Sequence, residues 1–183
     1  RWLTEILQSW LFKMADTIHD VKYVRLISLF GWLLCLPLWY AVIKKIVADV
    51  PAFEYLPFFI CLYLVTSLPF IVSIQWATCM QFFIADTASL LAGAIVLRGI
   101  HFRENKIRIP AMVLIPALLL SVASLFLYQG AFACFLIPFL INFINPFKYK
   151  HDKVLIAGLA VYFFGYFVYF LLYKLSFSLS HDI

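Results

Sequence analysis

Asp86 is the one carboxylate within residues 79–98 (CMQFFIADTASLLAGAIVLR), a run otherwise apolar enough to cross a bilayer. An ionised carboxylate among lipid tails is costly, so such a residue faces a protein interior or a watery cavity and is a functional candidate by default. Two chemistries suit it: hydrogen bonding to a polar substrate, or relay of a proton or ion. Just N-terminal to it, Gln75, Trp76, Thr78 and Gln81 supply donors, acceptors and one stacking face. Asp86 lies about one and a half turns deeper at 1.5 Å rise per residue. Such a set could hold a sugar or a polar headgroup. Alternatively Trp76 belongs to the aromatic belt, the glutamines cap helix ends and Asp86 makes an interhelical bond. The turn Tyr128-Gln129-Gly130 adds a phenol and a carboxamide. These either complete the same pocket or merely turn the chain and anchor a helix end. Asp86, Gln81, Trp76, Gln75, Tyr128 and Gln129 are therefore the expected substrate-binding residues, with no catalytic residue assigned.

The other reactive side chains carry less. His19, His101, His151 and His181 form no H-E-x-x-H or other metal spacing. Cys35, Cys61, Cys79 and Cys134 lie in or beside apolar runs without C-x-x-C spacing, which reads as small buried hydrophobes and not as a zinc site or a disulfide framework. There is no glycine-rich phosphate loop and no G-x-S-x-G. No metal and no cofactor is expected. Tyr162, Tyr166, Tyr169 and Tyr173 share one helical stripe, with Gly158 and Gly165 permitting close approach. The stripe lines a groove for a lipid-linked substrate, or it packs and anchors a helix.

Composition places these residues in a membrane. Of 183 residues, 66% are hydrophobic and 13% charged, and the mean hydropathy is +1.01, far from the balance of an average soluble domain. The formal charge of +5 is spread in short clusters between apolar runs, unlike the single basic face of a nucleic-acid binder. A spanning helix needs about 20 mostly apolar residues. Such runs fall near 24–43, 53–75, 79–98, 109–128 and 154–176, with a shorter one near 131–147 interrupted by Pro138, Asn142, Asn145 and Pro146. The expected fold is all-α: a polytopic transmembrane bundle of about six spans over residues 21–183, preceded by an interfacial amphipathic helix over residues 1–20. In that first stretch Trp2, Leu3, Ile6, Leu7, Trp10, Leu11, Met14 and Ile18 recur at helical spacing with Glu5, Gln8, Ser9 and Asp16 between them.

Lysine and arginine orient the bundle. Lys44, Lys45, Arg98, Arg103, Lys106, Arg108, Lys148, Lys150 and Lys153 collect on one side; Arg1, Lys13, Lys22, Arg25 and Lys174 fall on the other. The richer side is expected to be cytoplasmic, with both termini outward. An even number of spans keeps this pattern intact.

The order of parts resembles the membrane region of the GT-C glycosyltransferases. The matching pieces are the amphipathic helix of residues 1–14 leading through IHDVKYVRLISL into a span, the hairpin SLPFIVSIQWATCMQFFIADTASLLAGAIVLR, and LFLYQGAFACFLIPF. Within that superfamily the YQ turn and the WAT hairpin are most similar to bacterial O-antigen glucosyltransferase-like proteins. The resemblance implies a bacterial inner-membrane enzyme that takes a sugar from a polyprenyl-phosphate carrier and transfers it to an envelope glycan or lipid on the outer side. It also implies that the catalytic aspartate sits in an outer loop ahead of the interfacial helix, so that this chain would be the second through seventh spans of a larger protein. Lys22 or Arg25 would then face the carrier phosphate, or act as interface anchors. Two other classes fit the same residues. A transporter or flippase would use Asp86 as the relay and the segment around Asn142 and Asn145 as its broken helix. A non-catalytic membrane subunit would use its polar residues to bind partner subunits.

Overall fold

The computed structural model describes residues 2–13, 19–48, 53–76, 79, 81–103, 106–145 and 151–181. Helices dominate it: α1 (Trp2–Phe12), α2 (Val21–Val47), α3 (Leu56–Thr66), α4 (Leu68–Gln75), α5 (Phe82–Gly99), α6 (Ala111–Leu127), a 3₁₀ segment (Gln129–Leu136), α7 (Ile137–Ile144) and α8 (His151–His181). Among the described residues three stretches are long and apolar enough to cross a membrane: Val21–Val47, Phe82–Gly99 and Asp152–Ser176. The helices Leu56–Thr66 and Ala111–Leu127 and the stretch Gln129–Ile144 are apolar but shorter.

Two differences from the sequence expectation stand out. The run 53–75 is two helices, because Ser67 adopts extended backbone and closes α3 through bonds from its Oγ and N to Leu64 O, at 2.6 and 3.1 Å. Pro69 then sits in the first turn of α4, where its missing N–H costs nothing. The connection between α5 and α6, expected as a loop, holds an antiparallel pair of short strands, β1 (His101–Arg103) and β2 (Lys106–Arg108), with Phe102 opposite Ile107. At the N-terminus the described helix ends at Phe12. The rest of the expected stretch, residues 14–18, lies outside the described residues, and His19 and Asp20 form a turn into α2.

α5 is the centre of the bundle. Within its most apolar window 61% of residues are buried, against 28% for α2 and for α8. One side of it, with Ala92 and Val96, joins Ala117 and Leu125 of α6, Phe132 and Phe135 of the 3₁₀ segment, Phe139 of α7 and Val161 and Tyr169 of α8. The other side, with Leu90 and Ala94, meets Trp39, Val42, Ile43 and Ile46 of α2 and Ile141 of α7. Close approach follows from small residues. A methyl group at Gly93 would collide with the carbonyl oxygen of Phe135, and one at Gly158 would come within 2.5 Å of the Phe139 ring. α2 and α8 keep large apolar side chains outward, among them Phe30, Leu34, Phe163, Phe167 and Phe170, as lipid-facing helices do.

Several buried polar side chains are paired between elements, as a low-dielectric interior favours. The Trp39 indole N–H donates to Thr87 Oγ1 at 3.0 Å, Ser89 Oγ donates to Phe132 O at 3.0 Å, and Ser124 Oγ donates to Ala85 O at 2.9 Å. These bonds tie α5 to α2, to the 3₁₀ segment and to α6.

Candidate functional site

The start of α5 and the end of α6 meet at one end of the bundle, and α1 lies across them. Leu3 and Leu7 pack against Ala85, Leu127 and Ala131, while Leu7 and Leu11 reach Val24 of α2 and Phe83 of α5. Thr4 shares that inward face. Its hydroxyl donates to Leu127 O at 2.7 Å and also lies 3.2 Å from Phe126 O. Those carbonyls close the last turn of α6, where a helix leaves acceptors without intrahelical partners. A hydroxyl from a residue more than a hundred positions away therefore fastens α1 to the bundle. Replacing Thr4 by Val removes the bond and keeps the shape, with an expected cost of about 1 kcal/mol. Limited proteolysis of the reconstituted protein should then cut faster after Lys13, with no change at sites in α8.

Beneath α1 lies an open cleft of about 340 Å³ lined by Thr4, Gln81, the Leu125–Leu127 turn, Tyr128 and Gln129. Each polar side chain arrives by a different route. Tyr128 breaks α6 by adopting extended backbone, and its ring stacks on Phe82 with centroids 4.2 Å apart. Gln129 opens the 3₁₀ segment, and its Nε2 donates to the Tyr169 hydroxyl at 2.7 Å. Gln81 precedes α5 and is only 6% exposed, and its buried Oε1 has no hydrogen-bond partner among the described residues. No charged side chain lines the cleft among the described residues.

Three of the six expected binding residues, Gln81, Tyr128 and Gln129, thus share one cleft. The other three stand apart from it. Gln75 and Trp76 end α4 on the surface, Trp76 at 64% exposure. Asp86 is buried deeper in α5, between that helix and the 3₁₀ segment, where its Oδ1 accepts from Cys134 Sγ at 3.7 Å. Thr78 falls outside the described residues. Sequence reasoning missed Thr4, whose signal was a hydroxyl on the same helical face as Leu7 and Leu11. It also missed Cys134 as the partner of Asp86, for which the sequence offers no signal.

The tyrosine stripe of α8 is taken up by packing. Tyr162 stacks flat on Phe132 at 4.7 Å, Tyr166 meets the same ring edge-on at 5.2 Å, and Tyr169 meets Phe126 at 4.9 Å. Two of the four also reach the cleft's lining: the Tyr169 hydroxyl accepts from Gln129 Nε2 at 2.7 Å, and the Tyr166 hydroxyl donates to Gln129 O at 3.4 Å. Among the described residues no group of His, Cys, Asp and Glu side chains has the arrangement of a metal site. No protein-family model, curated protein or solved structure matches this chain.

Proposed function

We propose that this chain is the membrane-embedded part of a GT-C type glycosyltransferase, holding a polyprenyl-phosphate-linked sugar for transfer to an envelope glycan or lipid. In this reading α2, the α3–α4 pair, α5, α6, the stretch Gln129–Ile144 and α8 are six membrane segments of a bacterial inner-membrane protein. α1 lies in the outer interface, and both ends of the chain face outward. The observation that carries the reading is the convergence of Gln81, Tyr128 and Gln129 in one cleft roofed by α1, at the end of the bundle that the charge asymmetry turns outward.

The chemistry of such transfer needs a base to take the acceptor's proton while the phosphate leaves with its lipid, and it needs both partners held in line. As the resemblance implies, that base would lie in an outer loop ahead of α1. The residues present here bind and position. Gln81, Tyr128 and Gln129 hold the polar end of the donor, the apolar flanks of α2 and α8 accept its lipid, and the exposed Lys22 and Arg25 at the start of α2 face its phosphate.

Photocrosslinking tests this directly. A polyprenyl-phosphate hexose carrying a diazirine should label the reconstituted protein saturably, near residues 81–82 and 125–129, and unlabelled donor should compete. Labelling that is uniform along the lipid-facing helices and indifferent to competitor would dismiss the proposal.

A further inference from the structure

The ribbon that joins α5 to α6 is built against its own electrostatics. Within residues 98–108 four cations, Arg98, Arg103, Lys106 and Arg108, meet a single carboxylate, Glu104. The strand register sets His101 opposite Arg108, Phe102 opposite Ile107 and Arg103 opposite Lys106. Cross-strand partners share a face and successive positions change face, so positions 101, 103, 106 and 108 fall on one face and 102 and 107 on the other. The basic face is the outer one: His101 and Arg108 are exposed, whereas Ile107 is half-buried. Like charges set opposite each other destabilise a strand pair, and a two-stranded ribbon this short is marginal on its own. The surroundings do not correct this. Arg98 and Arg108 form no ion pair among the described residues, and Asp152, at the start of the α8 helix that β2 lies against, is followed at once by Lys153. Negative charge laid along the basic face would stabilise the pairing.

The ribbon's place in the fold says which anions these are. Ile100 and Ile109, which flank the strands, pack on the core cluster that includes Val154 of α8, so the ribbon is rooted at the end of the bundle. α5 enters it from a stretch apolar and long enough to cross a membrane. α6 leaves it with Met112, Ile115 and Leu119 on one exposed stripe. A three-residue strand reaches about 10 Å, close to the Debye length of about 8 Å at physiological salt, so a charged leaflet at the helix ends acts on the whole ribbon. We infer that the β1–β2 ribbon docks anionic phospholipid, with the phosphate on its basic face and Arg98, and an acyl chain along Met112, Ile115 and Leu119. Arginine suits a phosphate because its fork of donors pairs two oxygens at once. Arg108 precedes Met112 by four residues, so cation and apolar stripe succeed each other as phosphate and chain do. A single-stranded nucleic acid would want aromatic residues among the cations, and the ribbon's one aromatic position, Phe102, is on the opposite face. Phospholipid docking at this end of α5 is independent of any sugar transfer at the other.

The test uses the full chain in nanodiscs of phosphatidylcholine, alone or mixed with phosphatidylglycerol. Native mass spectrometry after extraction counts the lipids retained, and amide hydrogen exchange reports on the ribbon. Phosphatidylglycerol should be retained at least tenfold over phosphatidylcholine, and exchange at residues 101–103 and 106–108 should slow at least tenfold in the mixed discs. Arg103→Gln/Arg108→Gln should lower the lipid preference at least fivefold, roughly the share of one basic residue at an anionic surface. Lys44→Gln/Lys45→Gln, which removes the same charge from the end of α2, should lower it less than twofold. Equal losses in the two double variants would reduce the preference to a general charge effect and overturn the inference. Exchange that is the same in both kinds of disc overturns it without recourse to any variant. Slowing in phosphatidylcholine discs by inorganic phosphate, as large as that by phosphatidylglycerol, would make the face a site for free phosphate and overturn it too.

Discussion

Gly93→Ala is expected to lower the unfolding free energy by about 3 kcal/mol, the upper end of the usual cost of overpacking. The reason is what a methyl group there would strike. It meets the backbone carbonyl of Phe135, and a main chain cannot rotate away as a side chain can. α5 and the 3₁₀ segment would have to separate, which would also stretch the bond from Ser89 Oγ to Phe132 O, 3.0 Å long in the native packing. Gly165→Ala provides the contrast. Its methyl group would lie 3.0 Å from the tip of the Phe132 ring, which can shift by a few tenths of an ångström, and the gain of about 1 kcal/mol in helix propensity offsets that contact. Denaturant titration of both variants in the same detergent should show a large loss for Gly93→Ala and a change near zero for Gly165→Ala. Equal effects would mean that α5 and the 3₁₀ segment are not packed this closely.

The second large effect concerns Asp86. Asp86→Asn should stabilise the protein by about 1–2 kcal/mol, because a carboxylate in an apolar interior carries a penalty that an isosteric amide avoids. Its visible partner is a thiol, a weak donor, at 3.7 Å, so little is lost in exchange. Asp86→Ala should do worse than Asn, since it opens a cavity between α5 and the 3₁₀ segment. Asp86 does not line the cleft, so labelling by the diazirine polyprenyl-phosphate hexose should stay within about twofold of the native protein in the Asn variant, a change under about 0.5 kcal/mol. The transporter reading makes the opposite demand, because neutralising a relay abolishes coupled uptake into vesicles. Destabilisation of Asp86→Asn would show that the carboxylate holds the helices together.

How much of this could be read in advance differs by element. The long runs that became α2, α5 and α8 were legible because length and apolarity are all a spanning helix requires. The division of residues 53–75 was not, since proline is tolerated inside membrane helices and only the extended backbone of Ser67 makes Pro69 the start of a new one. HFRENKIR reads as a charged loop, and its strand pairing has no apolar alternation to announce it. At the site, polar side chains near helix ends identified Gln81, Tyr128 and Gln129, but spacing along one chain could not say which ends meet. Trp76 had the same credentials and points away. Asp86 drew attention because a lone charge is conspicuous, and it lies outside the cleft that the same argument led to.

The winding of residues 129–136 fixes more than a local shape. A 3₁₀ helix has three residues per turn, so side chains three apart stand directly above one another. Gln129, Phe132 and Phe135 therefore form one straight edge of a three-sided prism. Phe132 and Phe135 press that edge into the core beside Tyr162, and Gln129, at its tip, is carried to Tyr169. In an α-helix the same three positions would fan through about 120° by the second step, at 3.6 residues per turn. The cleft's carboxamide would then be turned off Tyr169 while the two phenylalanines stayed put. The prism thus acts as a ruler, on which the angular setting of Gln129 is read from aromatic residues one and two turns away.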